Sequence, residues 1–250
     1  MKTSSNTILI TGGAGGIGYA LAEEFLKRGN RIRICDKSKD SLERMKSLYP
    51  EIDVFRCDLA DKASRIKLFD WAVSDGSLNV LVNNAGIQRS FDFTKSNKGS
   101  YDEGENEIEI NLAAPIHLCE LFIPHLLKKA DAVLMNVSSS LAIVPDPRTP
   151  VYCACKAGVH ALTRCIREQL LGSGVKVFEA LPPAVDTGLN PEGRAVDPPP
   201  NLWSPAAYAA YVFEALESDI YEIYSPVTTE LQKKNLIELY EYFKSPNNPR

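Results

Sequence analysis

Thr7-Ile8-Leu9-Ile10-Thr11-Gly12-Gly13-Ala14-Gly15-Gly16-Ile17-Gly18 is the stretch that decides how the rest of the chain is read. Thr7 to Thr11 is a short apolar run, the pattern of a strand buried on both faces of a sheet. From Gly16 to Arg28 the apolar residues Ile17, Leu21, Phe25 and Leu26 recur at helical spacing, and Gly29 follows as a stop. Between strand and helix the chain is almost all glycine. Glycine tolerates unusual backbone angles and lets a pyrophosphate approach the main chain. The helix N-terminus behind it adds free N–H groups and partial positive charge. Glycine spacing alone is a weak signal, and the flanking strand and helix supply the context that a dinucleotide cradle requires. Gly12, Gly15, Gly16, Ile17 and Gly18 are therefore candidate cofactor contacts. A tight turn without a ligand is the alternative reading.

Outward from this unit, strand and helix patterns alternate. Strands are expected at Arg31 to Cys35, Ile52 to Arg56 and Leu78 to Val82, with helices at Lys39 to Leu48 and Lys62 to Val73. Asp58 is the candidate cap of the helix that begins at Lys62. A long helix is expected from Glu105 to Lys129, kinked or interrupted by Pro115 and Pro124. Ala132 to Val137 reads as a strand, Val151 to Leu171 as a helix and Gly174 to Ala180 as a strand. After Ala180 the chain is rich in Pro, Gly and Asn, and about 183–205 reads as a lid or substrate loop. A helix at Ala206 to Glu217, a strand at Tyr221 to Tyr224 and a final helix at Glu230 to Phe243 complete the pattern. The expected fold is α/β: one Rossmann-type domain over residues 1–250, a doubly wound parallel sheet of about seven strands flanked by helices.

Bulk properties narrow the function. The chain has 250 residues, 44% hydrophobic and 24% charged, with a formal net charge of −4. That mild acidity, with no long basic run, gives no footprint for nucleic acid or an anionic membrane. No apolar stretch reaches the ~20 residues of a membrane span. Met1 to Asn6 is polar and the run after it is too short for a signal segment, so a cytoplasmic protein is expected. The six cysteines show no zinc-type pairing, and Cys153 and Cys155 flank a single residue, so no metal is expected. The three histidines, His117, His125 and His160, have no metal-like spacing and read as surface or core side chains.

Asp36 stands at the end of the second strand, where an acidic side chain accepts the adenosine ribose hydroxyls and repels a 2′-phosphate. Gly15 denies the loop a basic side chain that would hold such a phosphate. Lys37 pulls the other way. The balance favours NAD(H) over NADP(H).

Tyr152 and Lys156 lie four residues apart at the start of a helix and share one face. A free tyrosine, with a pKa of about 10, is a poor base at neutral pH. A nearby ammonium favours the phenolate and lowers that value, which lets the tyrosine exchange a proton with an alcohol or carbonyl. A Tyr-x-x-x-Lys match is common on surface helices. Here it follows a strand by a loop that begins Asn136-Val137-Ser138-Ser139-Ser140, at the carboxyl end of the sheet where open α/β folds bind ligands.

With these residues in place, the chain from Thr7 to about Tyr224 resembles the compact, single-domain short-chain dehydrogenase/reductases. The likeness is carried by Thr11-Gly12-x-x-x-Gly16-x-Gly18, Asp36, Asp58-Leu59, Asn83-Asn84-Ala85-Gly86, and the set Asn111, Ser139, Tyr152 and Lys156. The segment Leu181-Pro182-Pro183-Ala184-Val185-Asp186-Thr187 resembles a bacterial branch labelled DltE-like, which suggests no substrate. The resemblance implies that Tyr152 is the general acid/base. It implies that Lys156 lowers the tyrosine's pKa and holds the nicotinamide ribose, that Ser139 hydrogen-bonds the substrate oxygen, and that Asn111 holds a relay water through its main chain. It implies adenine contacts from Asp58 and Leu59, and cofactor contacts from Asn84, Ala85, Gly86, Pro182, Val185 and Thr187. Three departures stand out: Pro183 replaces the usual glycine, Cys155 replaces a small hydroxyl residue, and the C-terminal region lacks the glycine-rich ending of tetrameric members.

Gly86 to Phe93, Ser140 to Thr149 and the lid should surround the reacting carbon. Leu141, Ala142, Ile143 and Val144 make part of that pocket apolar. Arg89 and Arg148 read as surface groups rather than as a site for an acidic substrate, and Trp203 either closes over the substrate or anchors the lid. The expected function is hydride transfer between a nicotinamide cofactor and a small-molecule alcohol or ketone. A non-catalytic NAD(H)-binding sensor is the alternative, with Pro183 in its favour and the intact catalytic set against it. A hydrolase using Ser139 leaves the glycine loop unexplained. The resemblance also implies a homo-oligomer, a dimer or tetramer.

Overall fold

The computed structural model describes residues 1–95, 100–189, 202–234 and 237–238. Its centre is a seven-stranded parallel sheet in the order β3-β2-β1-β4-β5-β6-β7. The strands are β1 (Thr7–Thr11), β2 (Arg31–Asp36), β3 (Asp53–Arg56), β4 (Val80–Asn83), β5 (Val133–Val137), β6 (Lys176–Leu181) and β7 (Glu222–Tyr224). The order reverses between β1 and β4, so a crevice opens there beyond the carboxyl ends of the strands.

The alternation along β1 explains the layering. Ile8 and Ile10 join one buried cluster with Phe25, Phe178 and Phe213, whereas Leu9 faces a second with Leu81, Phe122 and Leu134. The first cluster is covered by α1 (Gly16–Lys27), α2 (Lys39–Leu48) and α7 (Pro205–Glu217); the second by α3 (Lys62–Val73), α5 (Ala114–Leu126) and α6 (Pro150–Gln169). Phe25 of α1 meets Phe213 of α7 edge-on at 4.4 Å. Burying each such ring contributes about 1.5–3 kcal/mol.

Local chemistry corrects three expectations. The helix expected from Glu105 to Lys129 is three pieces: α4 (Ser100–Ile108), a π-turn (Glu109–Ala113) and α5. Pro115 sits in the first turn of α5, directly after the π-turn, and Pro124 lies inside that helix. Asp61, not Asp58, caps α3, accepting the amides of Ala63 and Ser64. Helix α8 (Pro226–Gln232) starts before the expected Glu230 because Ser225 caps it, accepting the Thr228 amide, with Pro226 at its first turn. It ends at Gln232; of the rest of the expected helix, Ile237 and Glu238 are helical, and residues 235–236 and 239–243 lie outside the described residues.

Of the expected lid at 183–205, residues 190–201 lie outside the described residues. Its two ends are joined: Asp186 donates its amide to Trp203 O at 2.9 Å, and Trp203 donates to Ala184 O at 3.0 Å. Trp203 packs edge-on against Tyr208 and Tyr211, so it anchors the C-terminal end of this segment to the core. Among the described residues no helix is long and apolar enough to cross a membrane, and no group of three or more His, Cys, Asp or Glu side chains could hold a metal ion.

Candidate active site

The glycine loop leaves β1 at the crevice and is fixed by β4. Thr11 Oγ1 accepts the amides of Asn84 and Ala85, both at 3.0 Å. Asn84 Nδ2 returns two hydrogen bonds, to Thr11 O at 2.9 Å and Gly12 O at 3.2 Å. This approach requires glycine at two places. Gly12 has φ of +61°, and a Cβ there would lie 2.9 Å from Ala85 Cα. A Cβ on Gly18 would lie 2.3 Å from Gly12 O and 2.5 Å from Asn84 Nδ2. Gly15, the N-cap of α1, is different: a Cβ there would meet nothing within 4 Å. No side chain caps α1 and no acid stands in its first turn. An open glycine face below an uncapped helix N-terminus fits the pyrophosphate of a dinucleotide. Thr187, which follows β6 and precedes residues 190–201, lies against Gly16. Val185 is buried beside Trp203, and Pro182 O accepts the Ser140 amide at 2.9 Å, which ties the Pro182-Pro183 turn to the serine loop.

Asp36 ends β2, and its Oδ1 accepts the Ser38 amide at 3.0 Å. Lys37 turns to Asp58, Nζ to Oδ2 2.7 Å, and this ammonium, with the Ala60 amide, draws the Asp58 carboxyl below its usual range. Leu59 is buried in the second core cluster. Arg44 reaches the glycine loop from α2, donating to Ala14 O at 3.3 Å.

The second half of the site hangs on β5 and α6. Ser139 follows β5 and accepts the Leu141 amide at 3.1 Å, so its hydroxyl proton remains available to a ligand. Tyr152 and Lys156 are 5% and 4% exposed. Lys156 Nζ donates to Val137 O at 2.9 Å and lies 5.5 Å from the Tyr152 ring centroid. Burial pushes the ammonium down to about 8, against the opposing pull of neighbouring acidic groups. The Cys155 thiol is also pushed up by burial, to about 11, so it stays protonated.

Asn111 lies in the π-turn and is fully buried. Its Oδ1 accepts the Ile87 amide at 2.9 Å and its Nδ2 donates to Ile87 O at 2.7 Å. The side chain is thereby committed to the loop after β4. A π-turn shifts the hydrogen-bond ladder and is frequent at functional sites. A Cβ on Gly86 would lie 3.0 Å from Asn111 Oδ1 and 3.5 Å from Lys156 Nζ, so this glycine lets the β4 loop, the π-turn and α6 converge.

One turn before Asn111, Glu107 is 1% exposed and accepts the Arg89 amide at 3.3 Å; burial pushes it up to about 7. Arg89 donates to Glu103 O, and Arg148 pairs with Asp146 at 2.7 Å. Two further titratable residues, Glu179 and His160, lie behind Lys156. The sequence reading did not single out Glu179 and set His160 aside as surface or core. Its place one helical turn after Lys156 was the available signal.

The fold and this site together define a dinucleotide-binding α/β protein. The short chain dehydrogenase family model matches residues 6–197, and the chain belongs to that family of oxidoreductases. It is 46% identical over 195 residues, 78% of this chain and 77% of its relative, to the "Uncharacterized oxidoreductase DltE" of Bacillus subtilis. It is 28% identical to the 3-oxoacyl-[acyl-carrier-protein] reductase FabG of Thermotoga maritima, over 75% of this chain and 77% of that one. Among solved structures, a short chain dehydrogenase from Burkholderia cenocepacia in complex with NADP superposes with a TM-score of 0.85 at 24% identity, covering 98% of this chain and 100% of the other. One from Burkholderia phymatum in complex with NAD gives 0.83 at 22% identity, covering 100% and 99%. These two likenesses concern the fold.

Proposed function

We propose that this protein moves a hydride between NAD(H) and an alcohol or carbonyl carbon, with Tyr152 as the general acid/base. The observation that carries the reading is the buried Lys156 ammonium, anchored on Val137 O, held 5.5 Å from the Tyr152 ring and close to Gly86 of the loop after β4. A positive charge in a water-poor setting lowers the proton affinity of the phenol. The nicotinamide cofactor, when bound, supplies or accepts the hydride.

The chain's own residues do the rest. Tyr152 gives a proton to a carbonyl oxygen during reduction, or takes one from an alcohol during oxidation. Ser139 donates its free hydroxyl proton to the same oxygen and stabilises charge developing there. Lys156 holds the ribose hydroxyls as well as tuning the tyrosine. Asn111, its side chain spent on Ile87, presents the main chain of the π-turn to a relay water. Gly12, Gly15, Gly16, Ile17 and Gly18 receive the pyrophosphate, Asn84 to Gly86 line the crevice, and Thr187 and Val185 close it from the lid. Asp36 supports NAD(H) over NADP(H), and Lys37, the cation that pulls the other way, is paired with Asp58.

The test is turnover of NAD⁺ or NADH against a panel of secondary alcohols and ketones, with Tyr152→Phe beside the wild type. The variant should keep NADH binding and lose about 10²-fold or more in rate. Full activity in Tyr152→Phe would overturn the assignment.

A further inference from the structure

Behind the tyrosine–lysine pair lies a set of polar side chains that the reaction above does not use. Glu179 is fully buried on β6, in register with Asn136 of β5 and Glu222 of β7. A carboxylate in the middle of a sheet is costly unless its oxygens are satisfied. Ser138 donates its hydroxyl to Glu179 Oε1, and His160 Nδ1 lies 2.9 Å from Oε2. Ser138 directly follows Val137, whose carbonyl holds Lys156 Nζ. On α6, Tyr152, Lys156 and His160 follow one another at intervals of four, one face of the helix. The His160 side chain is 15% exposed, whereas Glu179 has no exposure. The chain of contacts therefore runs from the anchor of Lys156, through a buried carboxylate, to an imidazole at the surface.

We propose that Ser138, Glu179 and His160 form a positioning relay in which the Glu179 carboxylate keeps the Lys156 ammonium charged and His160 is the solvent-facing end. The relay deepens the functional reading above, because it reaches the reaction through Lys156.

The charges around Lys156 give the relay its role. Burial opposes the ammonium, and the acids that support it are Glu179 from β6 and Glu107 from α4, with the neutral Cys155 thiol beside it. Glu107 is raised to about 7, so it is mostly ionised where Lys156 titrates and shares the support of the ammonium with Glu179. Glu179 carries the share that His160 can change. His160 modulates it: an imidazolium neutralises the carboxylate and a neutral imidazole does not. Glu179 raises the His160 value, burial opposes that, and Glu222 from β7 and Arg164 on the same helix add smaller effects of opposite sign. Tyr208 and Tyr224 also face this charge, and both are raised, so they stay neutral. By linkage, protonating His160 loosens the proton on Lys156, and the ammonium in turn loosens the proton on His160.

The experiment uses the full chain with ¹³C-labelled lysine. The Lys156 Cε resonance is assigned by its loss in Lys156→Arg and followed by NMR through the neutral and alkaline range. Glu179→Gln keeps an oxygen for Ser138 and removes the charge, so the Lys156 midpoint should fall by about one pH unit. His160→Gln cannot neutralise Glu179, so the midpoint should not fall. An unmoved midpoint in Glu179→Gln, or an equal drop in both variants, overturns the relay. Should Glu179→Gln fail to fold, the reciprocal measurement decides: Lys156→Met should raise the His160 midpoint, and an unmoved one overturns the proposal. An NADH fluorescence titration of the same samples separates the two readings. A shifted midpoint without NADH binding sinks the cofactor reading and leaves the relay; NADH binding with an unmoved midpoint sinks the relay alone.

Discussion

Replacing Thr11 with valine isolates the stitch that holds the glycine loop to β4. Thr11 is 1% exposed, and its hydroxyl oxygen accepts two main-chain amides, those of Asn84 and Ala85, at 3.0 Å each. Its own proton is spent on a long contact to Val82 O at 3.4 Å, so the accepting role dominates. Valine has the same shape and no acceptor. A buried donor left without a partner costs about 1–3 kcal/mol. The two amides belong to half-buried residues, which places the sum at about 2–4 kcal/mol. Thr11→Ser, which keeps the oxygen and loses one methyl, should cost about 1 kcal/mol. Urea unfolding of the three proteins measures both values. Because Asn84 also holds Thr11 O and Gly12 O, the valine variant should bind NADH about tenfold more weakly, equivalent to about 1.4 kcal/mol. A Thr11→Val protein within about 0.5 kcal/mol of wild type, or less damaged than Thr11→Ser, would refute the reasoning.

Two further outcomes are expected. Gly18→Ala places a Cβ 2.3 Å from Gly12 O, a backbone atom that cannot swing aside, so it should destabilise by about 1–3 kcal/mol and weaken NADH binding; unchanged melting and affinity would contradict the close approach. Glu107 has a folded-state value raised from 4.5 to about 7, so the folded protein is fully stabilised below the lower value and loses that stability as pH rises through the upper one. Glu107→Gln keeps an oxygen for the Arg89 amide and has no charge to bury. It should therefore gain about 3 kcal/mol over wild type above neutrality and nothing near pH 4, read by urea unfolding at both values. Equal gains at the two pH values would count against a buried titrating carboxyl.

The alternation of strands and helices was legible because a parallel sheet demands it. Short apolar runs such as Thr7–Thr11 must be covered on both faces, and the helices between them carry a single apolar stripe. The glycine loop and the Tyr152–Lys156 pair were legible for a similar reason, since each is local in sequence and sits at a predictable strand end. The rest depended on geometry that a linear pattern does not hold. A helical periodicity passes through the π-turn at Glu109–Ala113 almost unaltered, so only Pro115 hinted at the break. Asp58 and Asp61 are equally good caps by type, and the choice rests on which one immediately precedes the first free amides. The Ser225-Pro226 start of α8 was a readable signal, masked by the apolar pattern further on. Glu179 is a single acid inside Val177-Phe178-Glu179-Ala180-Leu181, which reads simply as strand. Its partners Ser138 and His160 come from β5's end and α6, so only the folded sheet brings the three together.

The central claim is that the glycine crevice holds NAD(H) with Asp36 at its adenosine end. It is tested most directly by titrating the purified protein with NADH and with NADPH, following nicotinamide fluorescence, and repeating both with Asp36→Ala. The account predicts tight binding of NADH, weaker binding of NADPH, and a narrowed preference in the variant. Binding of neither nucleotide would contradict it.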